Sequence, residues 1–264
     1  MSVVETTPKA VLGFLFDQER SFVHIRVTMK NSRGSLEKVL HVLTGLKVNV
    51  LSSFSNVAPG EKTGEWSAFA ELAAETTPEA VVTALKATEG VIDAEIHLSE
   101  DGLLIESSHF PVLVGPGERV LLLPPEMLSG MFAKIKRTFG SGGETILYLQ
   151  GKAAGVKGAG ITIRDLGKER QRSLRDTSMP FVQTLGWGRA RVLEHSEDFT
   201  RVKVSVTDCF ECVGVRSTAM SCSFIRGVVA GVFSGMTNKQ LEAEETSCVA
   251  AGAAACTFEI GERS

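Results

Sequence analysis

The sequence predicts an α/β protein of two successive domains, and three observations lead to that expectation. Over residues 22–96, segments in which apolar and polar residues alternate, as in half-buried strands, are interspersed with segments whose apolar residues recur at helical spacing. A stretch rich in Gly, Pro and acidic residues comes next, and a second series of such patterns starts at residue 119. All five cysteines lie from residue 209 onward. We expect an N-terminal extension over 1–21, a first domain over 22–97, a linker over 98–118 and a second domain over 119–264.

The composition argues against several classes of protein. Hydrophobic residues make up 43% of the 264-residue chain, which is enough for ordinary globular cores. The formal net charge is −3, so no excess of positive charge favours direct binding of nucleic acid. The longest apolar helical segment, 223–236, is interrupted by Arg226 and is too short to span a bilayer. The N-terminus lacks the basic leader of a signal peptide, and we therefore expect a cytoplasmic protein.

The first domain is expected to follow the order β-α-β-β-α-β, a ferredoxin-like split motif. After the first strand, an NSRG turn leads into an apolar helical pattern that ends at Gly45. A Pro-Gly loop joins the next two strands as a hairpin, and Thr77 with Pro78 begins the second helix. The strands are predicted over residues 22–29, 48–57, 66–72 and 91–96.

This order, together with the sequence MKNSRGSLEKVLHVLTGLKVNV, resembles the ACT domain, a regulatory module that usually binds amino acids or related metabolites and pairs through its sheet. The resemblance implies that the loop after the first strand holds an amino-acid-like ligand, with Asn31 and Gly34 in the binding position. Ser32 and Arg33 stand where many members of the family have acidic or proline residues. The alternative is that Gly34 only permits a tight turn before the helix.

The second domain begins with strand and helix patterns of its own. RVLLL at 119–123 and TILYL at 145–149 are predicted as strands, and the segment between them carries an apolar helical stripe. Glycines recur over 151–160, but the segment lacks the terminal Lys-Ser/Thr of a phosphate-binding loop, so close backbone packing is favoured. Residues 186–195 and 201–208 then predict a hairpin.

The strongest chemical signal starts at Cys222. This residue precedes an apolar helix in which glycines recur every four residues over 227–235, a smooth ridge for close packing. Cys248 and Cys256 enclose a run of Ala and Gly that lets both sulfurs approach one point. An odd, clustered set of cysteines favours metal binding over a disulfide framework, and thiolates are typical ligands of zinc.

The pattern C-x3-RG-x3-G followed by ExxC-x7-C resembles the C-terminal core of the 4-vinyl reductase domain family, and the GWG at 186–188 before paired strands also fits. Members of this family include the sensor domains of transcription activators that detect phenols and other aromatics, and a protein implicated in bacteriochlorophyll synthesis. The resemblance implies an α/β fold that is usually dimeric. It also implies zinc bound by Cys222, Glu245, Cys248 and Cys256.

Two alternatives to this metal site stay open at the level of sequence. Cys209 and Cys212 form a CxxC pair, and either residue could replace Glu245 as a ligand, while a redox role for the pair is a further option. The cysteines could also be buried free thiols that act as small hydrophobes.

The absence of a complete catalytic constellation favours a role other than catalysis. The five histidines are scattered, and the sequence contains neither a G-x-S-x-G elbow nor a helix-turn-helix signature. We expect a small-molecule sensor, a homodimer that acts through a separate protein partner and encloses a hydrophobic or aromatic ligand in its second domain. The candidate lining residues are Phe132, Phe181, Trp187 and Phe210, with plain core packing as the alternative for each.

Two other functions are compatible with the sequence. One is an enzyme or accessory carrier of tetrapyrrole metabolism, although the chain shows no nicotinamide or flavin motif to supply electrons. The other is an adaptor that assembles into oligomers and binds no small molecule.

Overall fold

The structure is a computed structural model that describes residues 8–262 except 59, 116, 167–178, 180 and 181. The chain divides into two compact units, the first ending at Val112 and the second beginning at Leu113. Both combine antiparallel sheets with helices, so the predicted α/β class is confirmed. Among the described helices, none has the length and apolar character that a membrane span requires.

The first unit is built on a four-stranded antiparallel sheet in the order β3-β4-β2-β5, and β1 and β6 form a separate two-stranded ribbon. Its elements are β1 (Phe14–Phe16), β2 (Phe22–Lys30), α1 (Ser35–Gly45), β3 (Asn49–Asn56), β4 (Thr63–Glu71), α2 (Pro78–Lys86), β5 (Val91–Leu98) and β6 (Leu103–Ile105).

The predicted order β-α-β-β-α-β corresponds to β2 through β5 and is confirmed. Val23, Ile25 and Val27 alternate along β2 and pack in one core with Leu43 of α1 and Leu85 of α2. This alternation arises because successive side chains of a strand point to opposite faces. The helices therefore cover one face of the sheet, and the even-numbered residues of β2 lie on the other face.

The β1–β6 ribbon lies on the face of this sheet opposite α1 and α2, the helix-free face as far as the described residues of the first unit show. Phe14 pairs with Ile105 in the ribbon, and Leu104 packs with Phe22 of β2 and Phe69 of β4. The segment 98–118, expected as a linker, thus includes a strand of the first unit. The extension expected over 1–21 likewise contains β1.

The second unit has a four-stranded antiparallel sheet in the order β7-β8-β10-β9. The predicted hairpin over 186–208 is confirmed as the pair β7–β8. The elements are α3 (Pro125–Phe139), α4 (Ser141–Leu166), β7 (Arg189–His195), β8 (Val202–Thr207), α5 (Ser223–Thr237), β9 (Leu241–Ser247) and β10 (Cys256–Glu262).

Two predicted strands of the second unit are wrong. Residues 145–149 lie inside α4, where Leu147 is fully buried while Ile146 and Leu149 are exposed, as on one side of a helix. An apolar run this short fits a buried strand and a helix equally well. Residues 119–123 form no strand beyond a single bridge from Arg119 to Leu113, and the leucines that follow Val120 are exposed.

Glycines on both helices bring α4 and α5 into backbone contact. A Cβ atom added at Gly151 or Gly155 of α4 would overlap backbone oxygens of α5, and one at Gly227 or Gly231 of α5 would overlap backbone oxygens of α4. The close packing predicted for both glycine runs is therefore confirmed. Since α5 also contacts β9 and β10, it lies between α4 and the sheet, and its N-terminus is fixed from both sides.

Candidate metal centre

The five cysteines of the second unit converge on one buried region, although they come from separate elements. Cys209 and Cys212 belong to a short 3₁₀ turn after β8, Cys222 precedes α5, Cys248 follows β9 and Cys256 begins β10. The other four sulfur atoms lie between 3.2 and 3.8 Å from the Sγ atom of Cys222. Cys222 therefore occupies the centre of the cluster.

The cluster contains two overlapping sets of four side chains. Within each set, the four ligand atoms lie within 4.8 Å of one another. The first set is the predicted one, Cys222, Glu245, Cys248 and Cys256. The second set keeps Cys222 and Cys256 and replaces the other two residues with Cys209 and Cys212. All members of both sets are buried, so this cluster can hold a metal ion.

The carboxylate of Glu245 fits the first set particularly well. Its Oε2 atom accepts a hydrogen bond from the backbone N–H of Cys222 at 2.9 Å. Its Oε1 atom is buried and, within the part of the chain that the structure describes, has no hydrogen-bond partner. Leaving a buried carboxylate oxygen unpaired is costly, and a cation at this point would satisfy it. Three thiolates and one carboxylate oxygen also match the ligand preference of zinc.

The environment of Cys248 disfavours a free thiolate. Burial, and then the neighbouring carboxylate of Glu245, raise the pKa of Cys248 to about 12. A bound cation reverses this preference because it binds the deprotonated sulfur and releases the proton. Metal binding at Cys248 would therefore be coupled to release of a proton.

A second buried carboxylate, Glu211, connects the cysteine turn to α5 and α3. It accepts hydrogen bonds from the backbone N–H groups of Phe224 at 3.2 Å and Ile225 at 3.0 Å, and from Lys136 Nζ at 3.0 Å. Burial raises the pKa of Glu211, and the ammonium of Lys136 opposes that shift. Sequence analysis missed this residue because a cap supplied from outside its helix leaves no local pattern.

Four aromatic side chains pack together beside the same turn. Five of the six ring pairs among Phe132, Trp187, Phe210 and Phe224, all except Phe132 with Trp187, have centroids 5.1 to 6.2 Å apart. Three of the four candidate ligand-binding residues therefore meet, whereas Phe181 lies outside the described residues. Phe224 was missed, although its place two residues after Cys222 on the apolar helix was a usable signal. Phe210 lies between Cys209 and Cys212, so the aromatic cluster and the cysteines share one turn.

A groove of about 730 Å³ elsewhere in this unit has a different character. It is lined by residues of β7 to β10 and their connections, among them Lys203, Glu242 and Glu259. This charged lining does not match a hydrophobic ligand.

The predicted binding loop of the first unit forms a tight turn. Gly34 has a φ of 83°, a left-handed conformation that favours glycine, directly before α1. Asn31 donates from Nδ2 to the carbonyl oxygen of Glu61 at 3.1 Å. The turn explanation for Gly34 thus has direct geometric support.

Comparisons with solved structures find chains that are similar to part of this chain. The phenol-responsive sensory domain of the transcription activator PoxR, with phenol, is 21% identical, with 55% of this chain and 78% of that chain covered and a TM-score of 0.49. A vinyl-4-reductase family protein from Methanocaldococcus jannaschii is 20% identical, with 55% and 85% covered and a TM-score of 0.39. The ACT domain from GTP pyrophosphokinase of Chlorobium tepidum is 13% identical, with 29% and 96% covered and a TM-score of 0.26.

Comparisons of sequence give a narrower result. A search of curated proteins finds no match. The ACT resemblance of the first unit stays a prediction. The segment of the second unit from β8 to β10, residues 202–262, contains all five cysteines. This segment matches the family model of the V4R domain.

Proposed function

We propose that the second unit is a metal-stabilised sensor domain that binds a small hydrophobic or aromatic molecule and acts through a separate protein partner. The observation that carries the proposal is the 3₁₀ turn Phe210–Cys212, preceded by Cys209. It places Phe210 in the aromatic cluster, and Cys209 and Cys212 in the buried sulfur cluster. The match of residues 202–262 to the V4R domain supports the same function.

The metal in this proposal is zinc, held by Cys222, Glu245, Cys248 and Cys256. Four protein ligands complete a tetrahedral shell and leave no position for a reacting water, so the ion has a structural role. Binding to such a site contributes roughly 10 to 16 kcal/mol of folding free energy in small zinc domains. Here it would fasten the β9–β10 connection to the start of α5.

The proposed ligand site is the aromatic cluster. Phe132 and Phe210 are buried, whereas Trp187 and Phe224 are partly exposed, so a ligand can reach the cluster from their side. The rings meet in tilted and edge-to-face arrangements, the geometries in which a further aromatic ring is also favourable.

A polar group lies at the edge of this apolar site. Lys136 follows Phe132 by one helical turn, so both side chains project from the same face of α3. The ammonium of Lys136 already contacts Glu211 and the carbonyl oxygen of Ser221. An apolar site with one charged group beside it suits a small aromatic molecule that carries a hydroxyl or acid group.

Signalling requires that the ligand prefer one of two arrangements of the protein, because only differential affinity shifts a population. The turn that joins the aromatic and sulfur clusters is the element through which ligand binding would change the second unit. The first unit would add a second regulatory surface, with an amino-acid-like ligand and self-association through its sheet. Its β-α-β-β-α-β order supports this part of the proposal.

The fluorescence of Trp187 provides the test. Trp66 is buried in the core of the first unit, so a Trp66→Phe background leaves Trp187 as the single indole. Titration with phenol and with indole-free aromatic acids is expected to change the emission of Trp187 saturably. Phe224→Ala should weaken the apparent affinity about fivefold or more, since loss of an aromatic contact costs about 1 kcal/mol, and about 1.4 kcal/mol is tenfold.

The matched control is Phe139→Ala, because Phe139 lies on the same helix as Phe132 and is 61% exposed. This variant should titrate like the wild type. A response that never saturates, or that is equal in Phe224→Ala, would exclude the aromatic cluster as the ligand site.

A further inference from the structure

We propose that the first unit contains a second metal site, formed by His24, Glu106 and His109, which takes a divalent first-row transition ion. One ring nitrogen of each histidine and one carboxylate oxygen of Glu106 lie within 4.8 Å of one another. These residues belong to a different unit from the cysteines, and the inference does not depend on the sensor function proposed above.

The fold places these three residues on the helix-free face of the first sheet. His24 lies on β2 between Val23 and Ile25, which face the helical core, and it pairs in register with Phe69 of β4 and His97 of β5. Glu106 and His109 follow β6. Since His24 is only 1% exposed, the site is closed on the side of the sheet.

A hydrogen-bond chain orients the imidazole of His24. The hydroxyl of Ser67 donates to the carbonyl oxygen of Ile25 at 3.3 Å, and the same oxygen lies 2.7 Å from Nε2 of His24. The tautomer with its hydrogen on Nε2 fits both contacts, because the oxygen of Ser67 then accepts from that N–H. This tautomer leaves the lone pair of Nδ1 on His24 available for an ion.

A carboxylate orients the imidazole of His109 in the same manner. Its Nε2 atom contacts Oε1 of Glu65, and its Nδ1 atom lies 2.9 Å from Oε1 of Glu106. Histidines that bind metals usually direct their other ring N–H to a carboxylate, carbonyl or water, which fixes the ring and raises its basicity. Glu65 is in the position of such a positioning residue.

The carboxylate of Glu106 is held by its own segment. It accepts hydrogen bonds from the backbone N–H and the hydroxyl of Ser108, each at 2.7 Å, and from the backbone N–H of His109 at 3.1 Å. These bonds fix the acid beside the ring before any ion arrives. A preorganised ligand loses less conformational freedom on binding.

The charge around the site favours a cation. Glu65 and Glu106 bring two carboxylates to neighbouring positions, while the guanidinium of Arg26 on the same face is paired with Glu95. Hydrogen bonding between His109 and the two acids is the metal-free explanation of this geometry. It involves only the ring of His109, whereas a metal site uses both imidazoles.

The ligand set indicates which ion would bind. Two imidazoles and one carboxylate suit divalent zinc, iron, cobalt or nickel, and three protein ligands leave coordination positions open to water or a small anion. The ion would therefore exchange more readily than one enclosed by four protein ligands. Glu106 and His109 come shortly before Val112, where the first unit ends, so binding would fix the last segment of that unit.

Cobalt(II) added to the full-length chain, with the cysteine centre already loaded with zinc, tests the site. Native mass spectrometry counts bound metal, and absorption distinguishes a nitrogen–oxygen site from a thiolate site by the absence of a sulfur-to-cobalt charge-transfer band. Wild type is expected to bind one additional ion per chain. His109→Gln and Glu106→Gln should lose it, and Glu65→Gln should bind about 10- to 100-fold more weakly.

The matched control is His41→Gln, since His41 is an exposed histidine on α1 of the same unit. This variant should keep the additional ion. Circular dichroism before addition of cobalt verifies that each variant is folded. The proposal is overturned if wild type takes up no cobalt beyond the cysteine centre, or if folded Glu106→Gln and His109→Gln bind it as wild type does.

Discussion

Glu245 accepts a hydrogen bond through Oε2 from the backbone N–H of Cys222 at 2.9 Å, while its other carboxylate oxygen is buried without a hydrogen-bond partner among the described residues. The acid thus joins β9 to the residue that precedes α5 and directs a negative charge toward the sulfur cluster. This relationship separates the two ligand sets, since only one of them uses Glu245.

Substitutions at Glu245 and Cys209 are expected to differ in metal content. Glu245→Gln and Cys248→Ser should lose stoichiometric zinc and unfold at lower temperature, because both remove a proposed ligand. Cys209→Ser should retain zinc. Elemental analysis of the purified variants with thermal unfolding measures both effects, and the opposite pattern would favour the set that contains Cys209 and Cys212.

Zinc affinity should fall as the pH falls. The pKa of Cys248, raised to about 12 by burial and by Glu245, means that this thiol is protonated before metal binding at neutral pH. Each protonated thiol that binds releases one proton, so the apparent affinity should drop about tenfold per pH unit for each such thiol. Stability supplied by zinc is therefore present at high pH and lost on acidification. Competition with a chelator between about pH 6 and pH 8 measures the slope, and a flat profile would contradict it.

The glycine contacts of α4 and α5 predict two opposite effects of alanine. Gly227→Ala should lower the free energy of unfolding by about 1 to 3 kcal/mol or more, because its Cβ atom would overlap the backbone of α4 at Tyr148. Gly160→Ala is the control, since nothing lies within 4 Å of a Cβ atom there. It should raise stability by up to about 1 kcal/mol through helix propensity. Urea unfolding measures both, and equal effects would argue against backbone contact between the helices.

The Glu211–Lys136 pair predicts a large cost for removing one partner. Glu211→Ala should destabilise the protein by about 3 to 5 kcal/mol, because it removes the carboxylate that pairs with Lys136 and leaves two backbone N–H groups of α5 without their acceptor. Lys134→Met on the exposed side of α3 serves as the control and should change stability little. A cost below about 1 kcal/mol for Glu211→Ala would show that water replaces these contacts.

Local patterns predicted the first unit well and the second unit less well. The alternation in β2 and the Thr77 cap of α2, which accepts a hydrogen bond from the backbone N–H of Ala80 at 3.2 Å, depend on neighbouring residues. They can therefore be seen in the sequence. TILYL was assigned to a strand because five apolar residues do not distinguish the two periodicities, and its helix depends on the packing of α4 against α5.

For the candidate sites too, the sequence was informative only where the contributing residues lie close together in the chain. Cys248 and Cys256 are close in the chain, and their spacing already indicated a shared ion. Glu211 and the pair His24 and His109 gave no such signal, because their partners come from distant segments that only the folded chain brings together. Scattered histidines in a sequence are thus weak evidence against a metal site.

The turn from Cys209 to Cys212 carries a sulfur atom, an aromatic ring, a buried acid and a second sulfur atom at four successive positions. Adjacent residues of one turn cannot change conformation independently, because the backbone hydrogen bonds of the turn restrain their dihedral angles together. Because Cys209 and Cys212 lie against Cys222, a substitution at Phe210 would therefore act at the same time on the packing of the sulfur cluster and on the anchoring of α5. Variant libraries built at this position need a measurement of folding stability alongside any other readout.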